Sequence, residues 1–286
     1  EKKYNILFRN KKREIGNIVS CKTVIPTQYW AESIFPKEKN PLDKLWEIYF
    51  QITLANVDDA IDKWNHRIED IQSRVKYLDL QQFKSLIFIT RKSRLDVELV
   101  ENHKWTGGCE ITNTGIRYMP NFPTQEIFTA PKKTGITGIM CNTKPLCYGG
   151  RIIDDFQLNF KNGKVINYYP KDNHSIIDEI INLDESNHYP GEIAILPGET
   201  EISKTCVVFQ STLLDENAAC HLALGCAYPC SINHEIKFDK EEFEKLGLNY
   251  SNYHIDVMFG DDSITIQAIS KNSEIKLLME NGEWRV

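Results

Sequence analysis

His254 and Asp256 stand two residues apart in the segment HIDVMFG. On a β-strand such residues point to one face, so an imidazole and a carboxylate would be presented together. His-x-Asp is common at hydrolytic metal sites and also on exposed strands. The apolar sequel Val257–Phe259 favours the first, because a buried strand rarely carries both groups without a partner for them. Upstream, LLDENAACHLALG (213–225) brings Glu216 and His221 into one segment. Read as a helix capped by Asp215 or Asn217 and ending at Gly225, it sets Glu216 at the helix start and His221 one turn further in. The small residues Ala218, Ala219 and Cys220 leave room there for a ligand or another backbone. Taken alone, His221 reads as a core histidine bonded to a carbonyl. Cys220 would point about 100° away from it on that helix, which argues against a Cys–His nucleophile pair.

Two further acids complete the set. Glu126 lies in NFPTQEIFTAP, an extended segment with proline at each end, and Glu192 opens the apolar β-run of PGEIAILP. An acid at the mouth of a buried strand is either solvated or bound to something positive, and each alone is most simply solvated. Together, three glutamates, one aspartate and two histidines make an oxygen-rich, nitrogen-supported set suited to zinc, cobalt or manganese. That is too many ligands for one tetrahedral zinc and about enough for two cations sharing a bridging carboxylate. No HExxH occurs, which excludes a single-zinc protease of the helix-borne kind.

The elements that must hold these residues change in texture along the chain. Residues 17–26 read as a short strand ending at Pro26. From Pro41 the apolar positions Leu42, Leu45, Trp46, Tyr49 and Ile52 recur at helical spacing, and a second helix runs through Ile61, Trp64, Ile68, Ile71, Val75 and Leu78 behind a cap at Asp58 or Asp59. Trp46 and Trp64 read as core residues of this helical layer. SLIFITR (85–91) and LDVELV (95–100) are β-rich. Beyond them short β-type runs dominate, CVVFQS (206–211) among them, and FKNGKV carries the Asn-Gly signal of a hairpin. HSIIDEIINL, ENAACHLALG and KEEFEKLG read as helical interludes. The expected fold is α+β: a partial N-terminal α/β domain over 1–100, with the boundary near 80–105, and a β-rich catalytic domain over 101–286.

Composition narrows the class further. The 286 residues are 41% hydrophobic and 26% charged, as in a soluble globular protein with ample core. No apolar run approaches the ~18 residues that span a bilayer, and the polar, basic start has no signal-peptide core. We therefore expect a cytoplasmic protein. A net charge of −6 gives no reason to expect nucleic acid, and the basic cluster Lys11, Lys12, Arg13 reads as a solvated loop. Eight cysteines include no CxxC pair and read as reduced, structural residues.

Longer segments carry a resemblance. PTQYWAESIFP (26–36), HKWTGG (103–108), NFPTQEIFTAP (121–131), KPLCYGG (144–150), GEIAILP (191–197), TLLDENAACHLALGCAYP (212–229), NYSNYHIDVMFG (249–260) and NGEWRV (281–286) follow one another as in the M29 metallo-aminopeptidases. The chain resembles that family, the aminopeptidase T, aminopeptidase S and PepS group, from about residue 17 to its end. The resemblance implies that Glu126, Glu192, Glu216, His221, His254 and Asp256 ligate two divalent cations, with Glu192 as bridge. It also implies that Tyr228 acts near the scissile carbonyl, that Glu192 or Glu126 moves the proton, and that a two-metal activated water releases N-terminal amino acids from peptides. A homodimer is expected on the same ground. Three departures are visible. The sequence begins inside the family's N-terminal domain, PCSINHEIKF (229–238) replaces a usually glycine-rich segment, and Lys144 stands where arginine is usual. The competing expectation is a truncated paralogue that binds metal or peptide without catalysis.

Overall fold

The computed structural model describes residues 19–112, 114–170, 174–234 and 236–286. The cluster Lys11, Lys12, Arg13 and the start of the 17–26 segment lie outside them. Three helices come first: α1 (Gln28–Ile34), α2 (Pro41–Thr53) and α3 (Ala60–Gln81). The last two follow the 3–4 spacing of their apolar residues, with Leu45, Ile52, Trp64, Ile68, Ile71 and Leu78 buried. Trp64 is a core residue as expected, whereas Trp46 is only half-buried and packs edge-on against Tyr49 and tilted against Phe50. Asp59 occupies the cap position of α3, yet its carboxylate makes no cap bond and pairs with Lys63 at 2.9 Å instead.

Strands follow: β1 (Ser85–Ile89), β2 (Arg94–Leu99), β3 (Thr106–Gly107), β4 (Glu110–Ile111), β5 (Arg117–Tyr118), β6 (Ile127–Thr129), β7 (Pro131–Cys141), β8 (Leu146–Tyr148), β9 (Arg151–Ile153), β10 (Phe156–Lys161) and β11 (Lys164–Pro170). The later chain adds α4 (His174–Ile181), β12 (Pro190–Ile195), α5 (Glu201–Lys204), α6 (Thr212–Asp215), β13 (His221–Gly225), α7 (Lys240–Leu246), β14 (His254–Met258), β15 (Thr265–Ile269), β16 (Ile275–Glu280) and β17 (Glu283–Trp284). The mixture of helix and antiparallel sheet is the expected α+β class.

Two sheets build the body. The larger has the order β11-β10-β7-β2-β1-β15-β16-β17, and the smaller the order β14-β13-β12-β6-β3. Strands β1 and β2, which sequence texture assigns to the N-terminal side of a boundary, lie in the middle of the larger sheet between β7 and β15. The Asn162-Gly163 turn closes β10 onto β11 with both residues at positive φ, as that dipeptide demands. In the smaller sheet every pairing is antiparallel. Its Ile127, Ile193, Ile195, Leu222, Leu224, Ile255 and Val257 are buried in one cluster with Leu86, Phe88, Leu95 and Ile266 of the larger sheet. Successive residues on a strand alternate faces, so the residues between them, Glu192, Ala194, His221, Ala223 and Asp256, share the opposite face.

Three local readings are corrected. Residues 213–225 are not one helix: α6 stops at Asp215, a single 3-10 turn covers Glu216–Ala218, and His221–Gly225 is strand β13. Asp215 accepts the N–H groups of Phe209 and Ser211 at 2.8 and 3.0 Å, so it closes the turn behind it and does not cap a helix ahead. Residues 206–211 form a loop, not a strand, around the buried Phe209. In the described part of 17–26, only Lys22 makes a β-bridge, to Asn121.

Candidate metal centre

Strand register assembles the candidate residues. Glu192 pairs with Ala223, and Ala223 with Asp256, so the two acids flank a methyl group in one row. In the next row Ala194 pairs with His221. On the other side Gly225 pairs with His254. Small residues thus occupy the middle of the sheet, and the larger donor groups converge above them. Gly225 has φ +105°, and a Cβ there would lie 2.3 Å from the Tyr253 carbonyl oxygen, so only glycine fits opposite His254. Glu126 precedes β6 by one residue and falls on the face of Phe128.

The side chains meet. His221 Nε2 lies 3.6 Å from Glu126 Oε2 and 3.5 Å from Glu192 Oε1. His254 Nε2 lies 3.8 Å from Glu192 Oε2 and 3.3 Å from Asp256 Oδ1. One donor atom each from Glu192, His221 and Asp256 falls within a span of 4.8 Å. Both imidazoles turn Nδ1 towards a backbone carbonyl, of Ala219 at 3.2 Å and of Cys226 at 2.8 Å. With Nδ1–H given to that carbonyl, each Nε2 faces the acids, as a donor while the imidazole is charged and as a lone pair once a cation displaces its proton. The core-histidine reading of His221 therefore holds for one ring nitrogen and misses the other.

Electrostatics fit a place that wants positive charge. Burial, reinforced by Glu192 and Asp256 against the opposing pull of His221, raises Glu126 to about 7. Burial likewise raises Glu216 well above the carboxylate range, with Glu126, Asp256 and Glu192 adding to the effect and Lys22 opposing it. Burial lowers the basicity of both imidazoles, but the surrounding acids outweigh it and raise each to about 9. Asp256 resists its own burial because His254 and His221 hold it ionised.

Glu126, Glu192, Glu216, Tyr228, His254 and Asp256 all line one cavity of about 420 Å³, and His221 is buried beneath it. Tyr228 follows β13 rather than a helix end, and its ring stacks on His254 at 4.5 Å. The structure thus brings every candidate residue to one site. It also adds lining residues that sequence reading missed, among them Lys22, Thr106, Phe128 and the hydrogen-bonded pair Tyr118–Glu110. Phe128 was within reach of the period-two rule that links His254 to Asp256; the two-residue strands around Thr106, Glu110 and Tyr118 are too short to leave a periodic signal.

Two ligand atoms each ~2.1 Å from a tetrahedral cation stand ~3.4 Å apart. Three of the four nitrogen–oxygen separations above, 3.3, 3.5 and 3.6 Å, lie close to that spacing, and the fourth, at 3.8 Å, is somewhat longer. Composition and burial suit a metal centre at the floor of the cavity, where Glu192, His221 and Asp256 could hold an ion. The chain belongs to the family described as thermophilic metalloprotease (M29), which it matches over residues 3–284.

Relatives agree with that membership. The chain is 37% identical over 262 residues to Aminopeptidase 2 of Geobacillus stearothermophilus, covering 91% of this chain and 63% of that protein. It is 35% identical to Aminopeptidase AmpS of Bacillus subtilis, covering 89% and 63%. The solved wild-type AmpT from Thermus thermophilus superimposes with a TM-score of 0.83 at 32% identity, over 90% of this chain and 62% of that one. A 2,5-dihydroxypyridine dioxygenase from Pseudomonas putida, at TM-score 0.54 and 10% identity, shares the fold alone. The chain therefore spans just under two thirds of the length of these aminopeptidases. Membership implies use of a divalent metal. Among the described residues no helix is long and apolar enough to cross a membrane.

Proposed function

We propose that this chain is a metal-dependent aminopeptidase that releases N-terminal amino acids from peptides, with two divalent cations held by Glu126, Glu192, Glu216, His221, His254 and Asp256. The observation that carries the reading is Glu192. Its two oxygens diverge, Oε1 to His221 at 3.5 Å and Oε2 to His254 at 3.8 Å. Each imidazole has its own second acid, Glu126 or Asp256. A carboxylate so shared has the form of a bridge between two cation sites, which zinc, cobalt or manganese would suit.

Divalent cations bound here supply Lewis acidity for the scissile carbonyl and lower the pKa of water. The protein groups do the rest. Tyr228, braced against His254, donates a hydrogen bond to the developing oxyanion. Glu192 or Glu126 receives a proton from water and returns it to the leaving amine. The acids of the cavity receive the substrate's α-ammonium group, which restricts cleavage to the N-terminus. A net charge of −6 and an acid-lined cavity disfavour nucleic acid as partner. The cysteines, none of them in a CxxC pair, suit a reducing cytoplasm as small reduced side chains. A homodimer completes the proposal, and sedimentation of the purified chain tests it.

The deciding experiment measures cation content and hydrolysis of aminoacyl amides together. Two equivalents of cation, turnover that a chelator abolishes, and recovery on adding cation back are expected. Bound cation without turnover assigns the chain a binding role instead, and absence of bound cation removes the proposal.

A further inference from the structure

Four of the candidate ligands, Glu192, His221, His254 and Asp256, sit on strands whose ladders fix them. Glu126 and Glu216 do not. Glu126 precedes β6, and Glu216 opens the single 3-10 turn. A buried carboxylate on an unladdered segment needs some other restraint to meet its neighbours within a few tenths of an ångström.

One buried relay links these two segments. The Glu126 N–H donates to Thr124 Oγ1 at 3.3 Å, and the Thr124 hydroxyl donates to Asn217 Oδ1 at 2.9 Å. The Gln125 N–H donates to the same oxygen at 2.9 Å. Asn217, the neighbour of Glu216, donates through Nδ2 to the Leu213 carbonyl at 3.3 Å, and its own carbonyl accepts the Thr200 hydroxyl at 2.9 Å. Asn217 is 1% and Thr124 4% exposed, so water does not compete for these groups. An amide is the side chain that accepts twice with one end and donates with the other. Aspartate would set a charge against the Leu213 carbonyl, and leucine would leave the buried Thr124 hydroxyl and the part-buried Gln125 N–H without this acceptor.

We infer that Asn217 and Thr124 are positioning residues that hold Glu126 and Glu216 together, so that one cation site depends on this relay while the site built from the ladders does not. The inference rests on the two-cation reading above. It divides the centre into a strand-borne half, with Glu192, His254 and Asp256, and a loop-borne half that completes around Glu126 and Glu216.

Cobalt(II) titration of the metal-free chain by equilibrium dialysis tests this, using wild type, Thr124→Ser, Thr124→Val and Asn217→Leu, each checked for folding by circular dichroism. Wild type and Thr124→Ser, which keeps the hydroxyl, bind two equivalents alike. Thr124→Val and Asn217→Leu keep one equivalent at wild-type affinity and bind the other about 10–100-fold more weakly. Equal binding of both equivalents by wild type and the folded Thr124→Val variant overturns the inference. If Asn217→Leu does not fold, the valine–serine pair at position 124 decides. If wild type takes up one equivalent, the two-cation reading falls, and the relay's role survives only if valine, and not serine, weakens that equivalent. If it takes up none, both fall.

Discussion

At Glu192, a change of charge without a change of volume tests both halves of the centre at once, since each oxygen faces a different imidazole. Glu192→Gln replaces one of those oxygens by a donor that no cation accepts. We expect at least ~100-fold lower kcat, beyond the loss typical of groups that only orient a ligand, and cation content reduced by one equivalent. Normal turnover with full cation content would refute the bridge. Tyr228 separates binding from chemistry. If its hydroxyl meets the oxyanion only as charge develops, Tyr228→Phe lowers kcat by about 10²–10³-fold and leaves KM within a few-fold. A rise in KM at constant kcat would place Tyr228 in substrate binding instead. At this scale the sequence was informative where the chemistry was written in the side chain. His254 and Asp256 were linked by strand alternation alone, whereas Lys22 reaches the cavity through a single bridge to Asn121 that leaves no pattern.

Among the elements, the stretch 213–225 shows where local reading ends. Ala218, Ala219, Ala223 and the leucines all favour helix. In the fold, pairing with β12 and β14 outweighs that preference, and Leu222 and Leu224 turn into the core while His221, Ala223 and Gly225 face the site. Alanine and glycine are silent in a hydrophobic pattern, so the alternation was hidden. By contrast, α2, α3 and the Asn162-Gly163 hairpin were legible because long apolar side chains or a special turn dipeptide mark them. Gly225 supplies the test of this element. Gly225→Ala forces a Cβ into the Tyr253 carbonyl at a φ that alanine avoids. It should cost at least ~1–2 kcal/mol, a Tm several degrees lower, and weaken cation binding through the displaced His254. An unchanged Tm and cation affinity would mean that the β13–β14 register is not as described.

For the molecule as a whole, the centre couples folding to pH and to cations. Without cations the folded state keeps a proton on Glu126 up to about 7, against 4.5 for an ordinary glutamate, and on His221 and His254 up to about 9, against 6.5. In each case the folded group binds its proton more tightly than the unfolded one, so its stabilisation is complete at low pH and lost as pH rises. The chelated protein should therefore lose stability between about pH 4.5 and pH 9. Cations take over the role of those protons. Calorimetry with and without chelator should show the Tm difference widening with pH; a difference that narrows would contradict the assignment of charge. The pairing of β1 with β15 was the least legible feature, because it joins residues some 180 positions apart and composition carries no record of such partners.

The back of the small sheet has one more consequence. Its isoleucines, leucines and valine belong to the same cluster as the larger sheet, so the floor of the cavity has no room to loosen while the interior stays intact. Amide protons of β12 and β13 should then exchange with deuterium only when the whole body opens. A preparation that has lost half its turnover on heating would be an even mixture of intact and collapsed molecules, with no softened intermediate between them.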